Sequence, residues 1–217
     1  EVKKSGIKNI SSDLILGLPG QKQDDPENAV ELFDKLGMTH VSVYSLSVEK
    51  GTPLYESGYK ADDDLQADMY ERTVEEYGYL RYEVSNFARD GKFAFHNLKY
   101  WTGADYYGFG AAAHSLTGKL RRENTDSLKD YVNGKVLKSQ YLLTAEDVRT
   151  EYIMLRMRTE TGIDLDDYAA RFGVSLLSER EKEVKKLLFA GVIEVKDNIL
   201  KATDKGFYLL NSVVTEL

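Results

Sequence analysis

A histidine, a tyrosine and the single tryptophan of the chain lie within six residues, at His96, Tyr100 and Trp101, and a glycine-rich run that contains His114 follows them. An imidazole held beside aromatic rings can be an axial ligand to heme iron, and glycines let a backbone approach a flat or phosphorylated ligand closely. The alternative is a packed aromatic corner in which a hydrogen bond holds the histidine. The segment therefore predicts either a ligand site or a structural corner.

Two further glycine patterns give weaker signals. Gly17 and Gly20 lack the Gly-Lys-Ser/Thr that a phosphate-binding P-loop needs. Gly108, Gly110 and Ala113 fit the dinucleotide fingerprint, but the residues before them make a poor strand and no acidic residue ends a following strand. Neither pattern predicts a nucleotide site.

The three histidines have no HxH or HExxH spacing, which argues against a zinc site. His40 directly precedes an apolar run. We expect it to be a structural histidine whose ring is hydrogen-bonded, rather than a ligand.

The start of the chain predicts a strand, helix, strand unit. Residues 10–18 and 41–46 are apolar runs typical of buried strands. A helix is expected between them from Asp25, with a carboxylate cap, Pro26 at its first position and an apolar stripe of Ala29, Leu32, Phe33 and Leu36. Two strands joined in this way pair in parallel, so another part of the chain or a second copy must cover them.

The middle of the chain contains three segments with different sequence patterns. Residues 62–77 have the spacing of an amphipathic helix, with Leu65, Met69, Thr73 and Tyr77 on one face. The alternation in residues 80–85 predicts a half-exposed strand. Residues 87–115 have no clean period and are rich in glycine and aromatic residues, which is typical of ligand-binding loops.

The last third of the chain predicts three helices, over 146–158, 164–172 and 178–190, followed by a hairpin with a turn at Asp197 and Asn198. Three helices and a hairpin indicate a winged-helix-like module, which in many proteins binds DNA. Residues 144–217, however, hold 11 Lys plus Arg against 14 Asp plus Glu. A DNA-binding face must be basic to neutralise phosphates. We therefore expect no nucleic-acid partner and keep such a module only as a remote alternative.

Composition excludes some classes of protein. The 217 residues hold 29 Lys plus Arg against 36 Asp plus Glu, a net charge of −7 that gives no electrostatic case for nucleic acid or an anionic membrane. The absence of cysteine rules out a disulfide scaffold within this chain. No apolar run approaches the ~20 residues that span a bilayer, so we expect no transmembrane segment and a cytoplasmic location.

Four motifs in order carry a resemblance to a known family: Asp13-Leu-Ile-Leu-Gly-Leu-Pro, Val43-Tyr-Ser-Leu with Gly51-Thr-Pro-Leu-Tyr, the run from His96 to Trp101, and the glycine-rich run ending in His114-Ser115. The chain resembles the oxygen-independent coproporphyrinogen III oxidase family of radical S-adenosylmethionine (SAM) proteins. The HNxxYW run resembles the HemW-type branch, which is described as heme chaperones.

The resemblance implies an α/β fold: the last βαβ strands of a partial radical SAM (β/α)6 barrel in residues 1–60, a ligand-loop region in 61–143 and a winged-helix-like domain in 144–217. It implies that Asp13, Ser45 and His114 lie in a SAM pocket. His96 is the implied heme-iron ligand, with Tyr100 and Trp101 as walls.

The family holds a [4Fe-4S] cluster on three cysteines, which this chain lacks. The chain also starts with residues that read as the last turn of a helix, without an initiating Met. We therefore expect a C-terminal portion of a longer protein. SAM and the cluster would be bound by that parent, and the portion alone would be inactive.

Two functions follow from the resemblance. The parent is expected to bind heme and deliver it to a recipient protein. The alternative is oxidative decarboxylation of coproporphyrinogen III, which the departure at His114 from the apolar residue of the oxidases disfavours. Expected partners are heme or porphyrin, a recipient of heme, and a second copy that pairs with exposed barrel strands.

Overall fold

The computed structural model describes residues 2–75 and 78–217. The chain has a mixed α/β fold and divides into two compact units, unit 1 (Glu1–Ala94) and unit 2 (Phe95–Leu217). A short 3₁₀ turn at Val2–Ser5 opens unit 1 and ends at Gly6, whose φ is +89°. This turn agrees with the predicted last turn of a helix followed by a glycine.

Unit 1 is built from four strands and three helices in the described residues: β1 (Ser11–Leu16), α1 (Asp25–Lys35), β2 (His40–Ser45), α2 (Pro53–Glu56), α3 (Asp63–Glu75), β3 (Leu80–Arg81) and β4 (Asn86–Ala88). The strands form one sheet in the order β1-β2-β4-β3. β1 and β2 pair in parallel from Ser11↔His40 to Leu16↔Ser45, which confirms the predicted parallel unit. β4 runs antiparallel to β2 and covers its outer edge.

One face of this sheet is buried. Leu14 and Leu16 of β1 form a core with Val41 and Val43 of β2, and the helices contribute Val30 and Met69 to it. The predicted stripe of α1 was wrong in part: Ala29 and Phe33 pack on the core, but Leu32 and Leu36 are exposed and Val30 is the fully buried residue. Periodicity fixes the spacing of a stripe more firmly than its rotation around the helix.

The start of α1 also differs from the expectation. Asp24, not Asp25, is the residue that precedes the helix, and its side chain makes no capping hydrogen bond. The Asp25 carboxylate instead accepts a hydrogen bond from the backbone N–H of Lys22 at 2.8 Å, in the turn before the helix. Helix α3 follows the predicted face through Leu65, Met69 and Thr73; the predicted end at Tyr77 lies outside the described residues.

The single strand predicted over residues 80–85 was wrong. The chain forms a tight hairpin here, in which Leu80 pairs with Ala88 and Arg81 with Phe87. Leu80 is 72% exposed, whereas Glu83 is fully buried. The alternation of residue types was therefore not an alternation of inside and outside, because the turn rotates the backbone between the two short strands.

Unit 2 begins with a helix and a second sheet that sequence periodicity did not predict. Its first elements are α4 (Phe95–Trp101), β5 (His114–Thr117), β6 (Leu120–Asn124), α5 (Leu128–Val132) and β7 (Leu137–Leu142). The strands form an antiparallel sheet in the order β5-β6-β7. The stretch 87–115 is therefore not one loop, because α4 occupies its middle.

The last part of unit 2 holds the predicted helices and hairpin: α6 (Ala145–Arg156), β8 (Ile163–Asp164), α7 (Leu165–Phe172), α8 (Leu176–Glu179), α9 (Glu181–Phe189), β9 (Ile193–Lys196), β10 (Ile199–Ala202), α10 (Asp204–Tyr208) and α11 (Leu210–Glu216). The predicted third helix is broken at Arg180 into α8 and α9. Asp197 and Asn198 both have positive φ, as a tight two-residue hairpin turn requires. β10 lies between β8 and β9 in an antiparallel sheet.

Candidate functional site

The first candidate site lies on α4. His96 and Tyr100 are four residues apart and therefore lie on the same side of the helix. The Nε2 atom of His96 is 3.2 Å from the Tyr100 hydroxyl, and the two rings meet edge to face with centroids 5.4 Å apart. Tyr100 in turn meets Tyr106 edge to face at 4.9 Å. The hydrogen bond and the ring contacts agree with the aromatic corner that was the structural alternative, but His96 is exposed rather than buried.

Trp101 serves a different part of unit 2. It is half-buried and lines a cavity of about 390 Å³ together with residues of β5, α6 and α7; His96 and Tyr100 do not line that cavity. One residue along a helix is a rotation of about 100°. The helix therefore brings His96 and Tyr100 together and places Trp101 elsewhere.

His114 begins β5, beside a glycine-rich loop that the surrounding residues hold in shape. A Cβ at Gly108 would lie 2.1 Å from the carbonyl oxygen of His114, so the two backbones touch and only glycine fits there. The buried Asn124 donates hydrogen bonds to the carbonyl oxygens of Gly108 and Gly110, at 3.4 and 2.9 Å. At the tip of this loop Phe109 is 87% exposed, and His114 is exposed as well.

The other two residues of the implied SAM pocket lie in unit 1. Asp13 lies in the run that predicts a buried strand, but its side chain is exposed, because β1 buries only the face that carries Leu14 and Leu16. Ser45, at the end of β2, is also exposed. His114 belongs to the other unit.

A row of polar residues crosses the sheet of unit 1 beside Asp13. Asp13 pairs in register with Ser42, which pairs with Asn86 of β4. Residues paired in register lie on the same face of a sheet. The Oδ1 atom of Asn86 is buried and, within the described residues, has no hydrogen-bond partner. Sequence reasoning missed Asn86, because the residue lies between the strand predicted over residues 80–85 and the loop region predicted from residue 87.

Two glutamines shape the loop that follows β1. The Gln21 Oε1 atom accepts hydrogen bonds from the backbone N–H groups of Gly17 and Leu18, at 2.6 and 3.1 Å. Gln66 of α3 donates to the carbonyl oxygens of Leu16 and Leu46, both at 3.1 Å. The N–H groups that a phosphate would need are thus occupied, in agreement with the absence of a P-loop. Gln66 did not stand out in the sequence.

His40 has the structural role that the sequence predicts. It is buried, with Nδ1 2.9 Å from the Ser11 hydroxyl and Nε2 2.7 Å from the Tyr82 hydroxyl. The Tyr82 oxygen also accepts a hydrogen bond from the backbone N–H of Ala94 at 3.1 Å. The ring therefore joins β1 to the end of unit 1.

The stability of unit 1 is expected to fall in mild acid because of His40. Burial lowers its pKa from the ordinary value of 6.5, against a smaller opposing effect of Asp13. The folded chain binds a proton at His40 less readily than the unfolded chain does. The free energy of unfolding of unit 1 therefore has its full value above about pH 6.5, and it decreases as the pH falls through the lower, folded-state pKa of His40. Urea unfolding followed by circular dichroism between about pH 7.5 and 5 should show the loss. His40→Gln should flatten it, whereas His114→Ala should leave it; an unchanged slope in His40→Gln would exclude His40 as its source.

Within residues 2–75 and 78–217, histidine and carboxylate side chains form no group of three or more that could hold a metal ion. Among the same residues, no helix has the length and apolar character needed to cross a bilayer.

Comparison with known proteins defines the class first. Residues 143–209 match the family model described as the HemN C-terminal domain. A solved structure described as coproporphyrinogen III oxidase (HemN) from Escherichia coli, a radical SAM enzyme, has the same fold: the TM-score is 0.80 over 99% of this chain and 56% of that one, at 18% identity.

Curated relatives then define the branch. Heme chaperone HemW of Bacillus subtilis is 33% identical over 97% of this chain and 59% of its own length. Those of Lactococcus lactis and Mycobacterium tuberculosis are 30% and 32% identical over 98% and 100% of this chain, and 59% and 57% of their own. Over nearly its whole length the chain is thus similar to HemW-type relatives, and it spans less than two thirds of the length of these relatives.

Proposed function

We propose that the protein to which this chain belongs binds heme and passes it to a recipient protein, and that His96 is the ligand to the iron. The relatives named as heme chaperones support the function. The observation that carries the site is the exposed imidazole of His96 in contact with Tyr100 on α4. The oxidase alternative is supported by the fold and by the match of residues 143–209 to the HemN C-terminal domain.

The contact between His96 and Tyr100 has a chemical consequence. An imidazole binds heme iron through a nitrogen lone pair, and the Nε2 atom of His96 already faces the Tyr100 hydroxyl at 3.2 Å. Heme binding through Nε2 therefore requires Tyr100 to give up this hydrogen bond. The rings of Tyr100 and Tyr106 would then offer an apolar surface beside the porphyrin.

A hemin titration followed by the Soret band tests the ligand. We expect His96→Ala to weaken hemin binding by about tenfold or more, because a lost interaction of ~1.4 kcal/mol already changes an affinity tenfold. His114→Ala tests the competing ligand, another exposed histidine of the same unit, and is expected to leave hemin binding unchanged if His96 holds the iron. If His96→Ala binds as tightly as the unmodified chain with the same spectrum, the assignment is wrong.

Tyr100→Phe separates two roles of the hydroxyl. If the iron replaces the hydrogen bond to His96, the variant should bind hemin about two- to tenfold more tightly, because the net energy of one such bond no longer opposes binding. A loss of binding together with a changed Soret spectrum would instead identify the phenolate of Tyr100 as the ligand.

The finer architecture belongs to the same proposal. We infer that the parallel β1 and β2 are the last strands of an incomplete (β/α)6 barrel, and that residues 144–217 form a winged-helix-like domain. The divisions at 60/61 and 143/144 stay predictions. SAM and a [4Fe-4S] cluster are assigned to the full-length protein, with Asp13, Ser45 and His114 as predicted members of the SAM pocket and Trp101 as a predicted wall of the heme site. The buried Oδ1 atom of Asn86 fits such a pocket, because it can accept a hydrogen bond from a ligand.

The remaining partners are also proposals. A recipient protein follows from the chaperone function. Self-association is supported by the outer edge of β1, which has no strand beside it among the described residues. A cytoplasmic location stays a prediction.

A further inference from the structure

The cavity beside Trp101 has walls that suit a flat apolar molecule. Its volume of about 390 Å³ lies within the roughly 300–1,000 Å³ of small-molecule sites. Six of its lining residues are large apolar or aromatic side chains from α4, β5, α6, α7 and the segment before α6, namely Trp101, Leu116, Leu143, Val148, Leu155 and Phe172. All of these belong to unit 2.

Positive charge is in excess around this cavity. Lys119, Arg156 and Arg171 line it, and Glu151 is the carboxylate that does so. Glu151 already pairs with Arg121 at 2.9 Å, and Arg171 pairs with Asp167 at 2.6 Å.

Two of these cations form no ion pair in the described residues, although Arg156 also lies near the Asp167 carboxyl and helps to lower its pKa. Within the described part of the chain, neither Lys119 nor Arg156 has a carboxylate within ion-pair distance. Arg156 is half-buried, and its guanidinium lies 5.6 Å from the centre of the Tyr152 ring. This stacking holds the guanidinium in place without using its hydrogen-bond donors.

We propose that this cavity is a binding site for a small aromatic carboxylate, whose ring lies against Trp101, Leu155 and Phe172 and whose carboxylate pairs with Arg156 and Lys119. A planar guanidinium and a carboxylate match in geometry, and their pairing is strong where apolar walls exclude water. The proposal does not require heme binding, because Trp101 is the one residue of the predicted heme site that it uses, and His96 and Tyr100 do not line the cavity.

The single tryptophan makes the test direct. A titration with 2-naphthoate should change the fluorescence of Trp101 to saturation with one molecule per chain, and the neutral 2-naphthalenemethanol should bind at least about tenfold more weakly. Arg156→Met keeps the stem of the side chain and removes the charge. We expect it to weaken naphthoate binding about ten- to a hundredfold while binding of the neutral alcohol changes little.

The control is Arg122→Gln, which removes an exposed arginine of β6 that does not line the cavity and should leave binding unchanged. Circular dichroism checks that each variant folds. If Arg156→Met does not fold, Lys119→Gln in the exposed turn before β6 takes its place, and a several-fold loss is expected. Equal affinity for the acid and the alcohol, no saturable change in fluorescence, or an equal loss in Arg122→Gln would overturn the proposal.

Discussion

Replacing Gly206 with alanine is expected to lower the free energy of unfolding of unit 2 by about 3 kcal/mol. Helix propensity alone predicts the opposite, a gain of up to about 1 kcal/mol, because alanine is the better helix former. The contact decides the sign: a Cβ at Gly206 would lie 1.8 Å from the carbonyl oxygen of Val192. Helix α10 would have to move away from that backbone, and the hydrogen bond from the Thr203 N–H to the same oxygen, 3.1 Å long, would be lost.

Gly191→Ala is the matched control for this prediction. Gly191 has a φ of +68° and open space around it, so alanine there meets backbone strain without overlap and should cost roughly 1 kcal/mol. Urea unfolding followed by the fluorescence of Trp101, which lies in the same unit, measures both variants. An equal loss in the two variants would show that overlap with Val192 does not limit this packing.

Gln66→Ala is expected to destabilise unit 1 by about 2–3 kcal/mol. The buried amide of Gln66 donates to Leu16 and Leu46, so it ties the carboxyl ends of the two parallel strands to α3. Without it, the carbonyl oxygen of Leu46 loses a buried donor. Gly17 would also lose a packing partner, since the Gln66 side chain lies 2.4 Å from the position that a Cβ on Gly17 would occupy.

Asp68→Ala, on the exposed face of the same helix, is the control for Gln66→Ala and should change stability little. Hydrogen exchange measured on peptides that cover 11–16 and 40–45 would show the loss where it is expected, at the ends of β1 and β2. Exchange unchanged in Gln66→Ala would mean that the strands hold their ends without the amide.

The sequence predicted the elements whose signal is local. Apolar runs mark β1 and β2, and Pro26 and Gly37 mark the start and the end of α1. The hairpin turn at Asp197 and Asn198 uses residues that tolerate positive φ. The face that each element buries was harder to predict. In α1 the core residue is Val30 and not Leu32, because the side of a helix that is buried depends on the elements that pack against the helix.

In the candidate site, too, local contacts could be predicted from the sequence and long-range contacts could not. The pairing of His96 with Tyr100 follows from helical spacing, but only once the segment is known to be a helix, which its irregular pattern concealed. The roles of Gln66 and Asn86 depend on strands that lie far apart in sequence. No local pattern marks such contacts, since polar residues of these types are common in exposed loops.

The hydrogen bonds around His40 allow donation in a single direction through unit 1. The Tyr82 oxygen accepts the N–H of Ala94, and its single hydrogen can point at His40 Nε2, which in that arrangement has no hydrogen of its own. The ring hydrogen then lies on Nδ1 and points at the Ser11 oxygen. In this tautomer donation runs one way, from Ala94 through Tyr82 and His40 to Ser11. A second ring proton would place two hydrogens between His40 and Tyr82, so the tyrosine hydroxyl would have to turn away from the histidine.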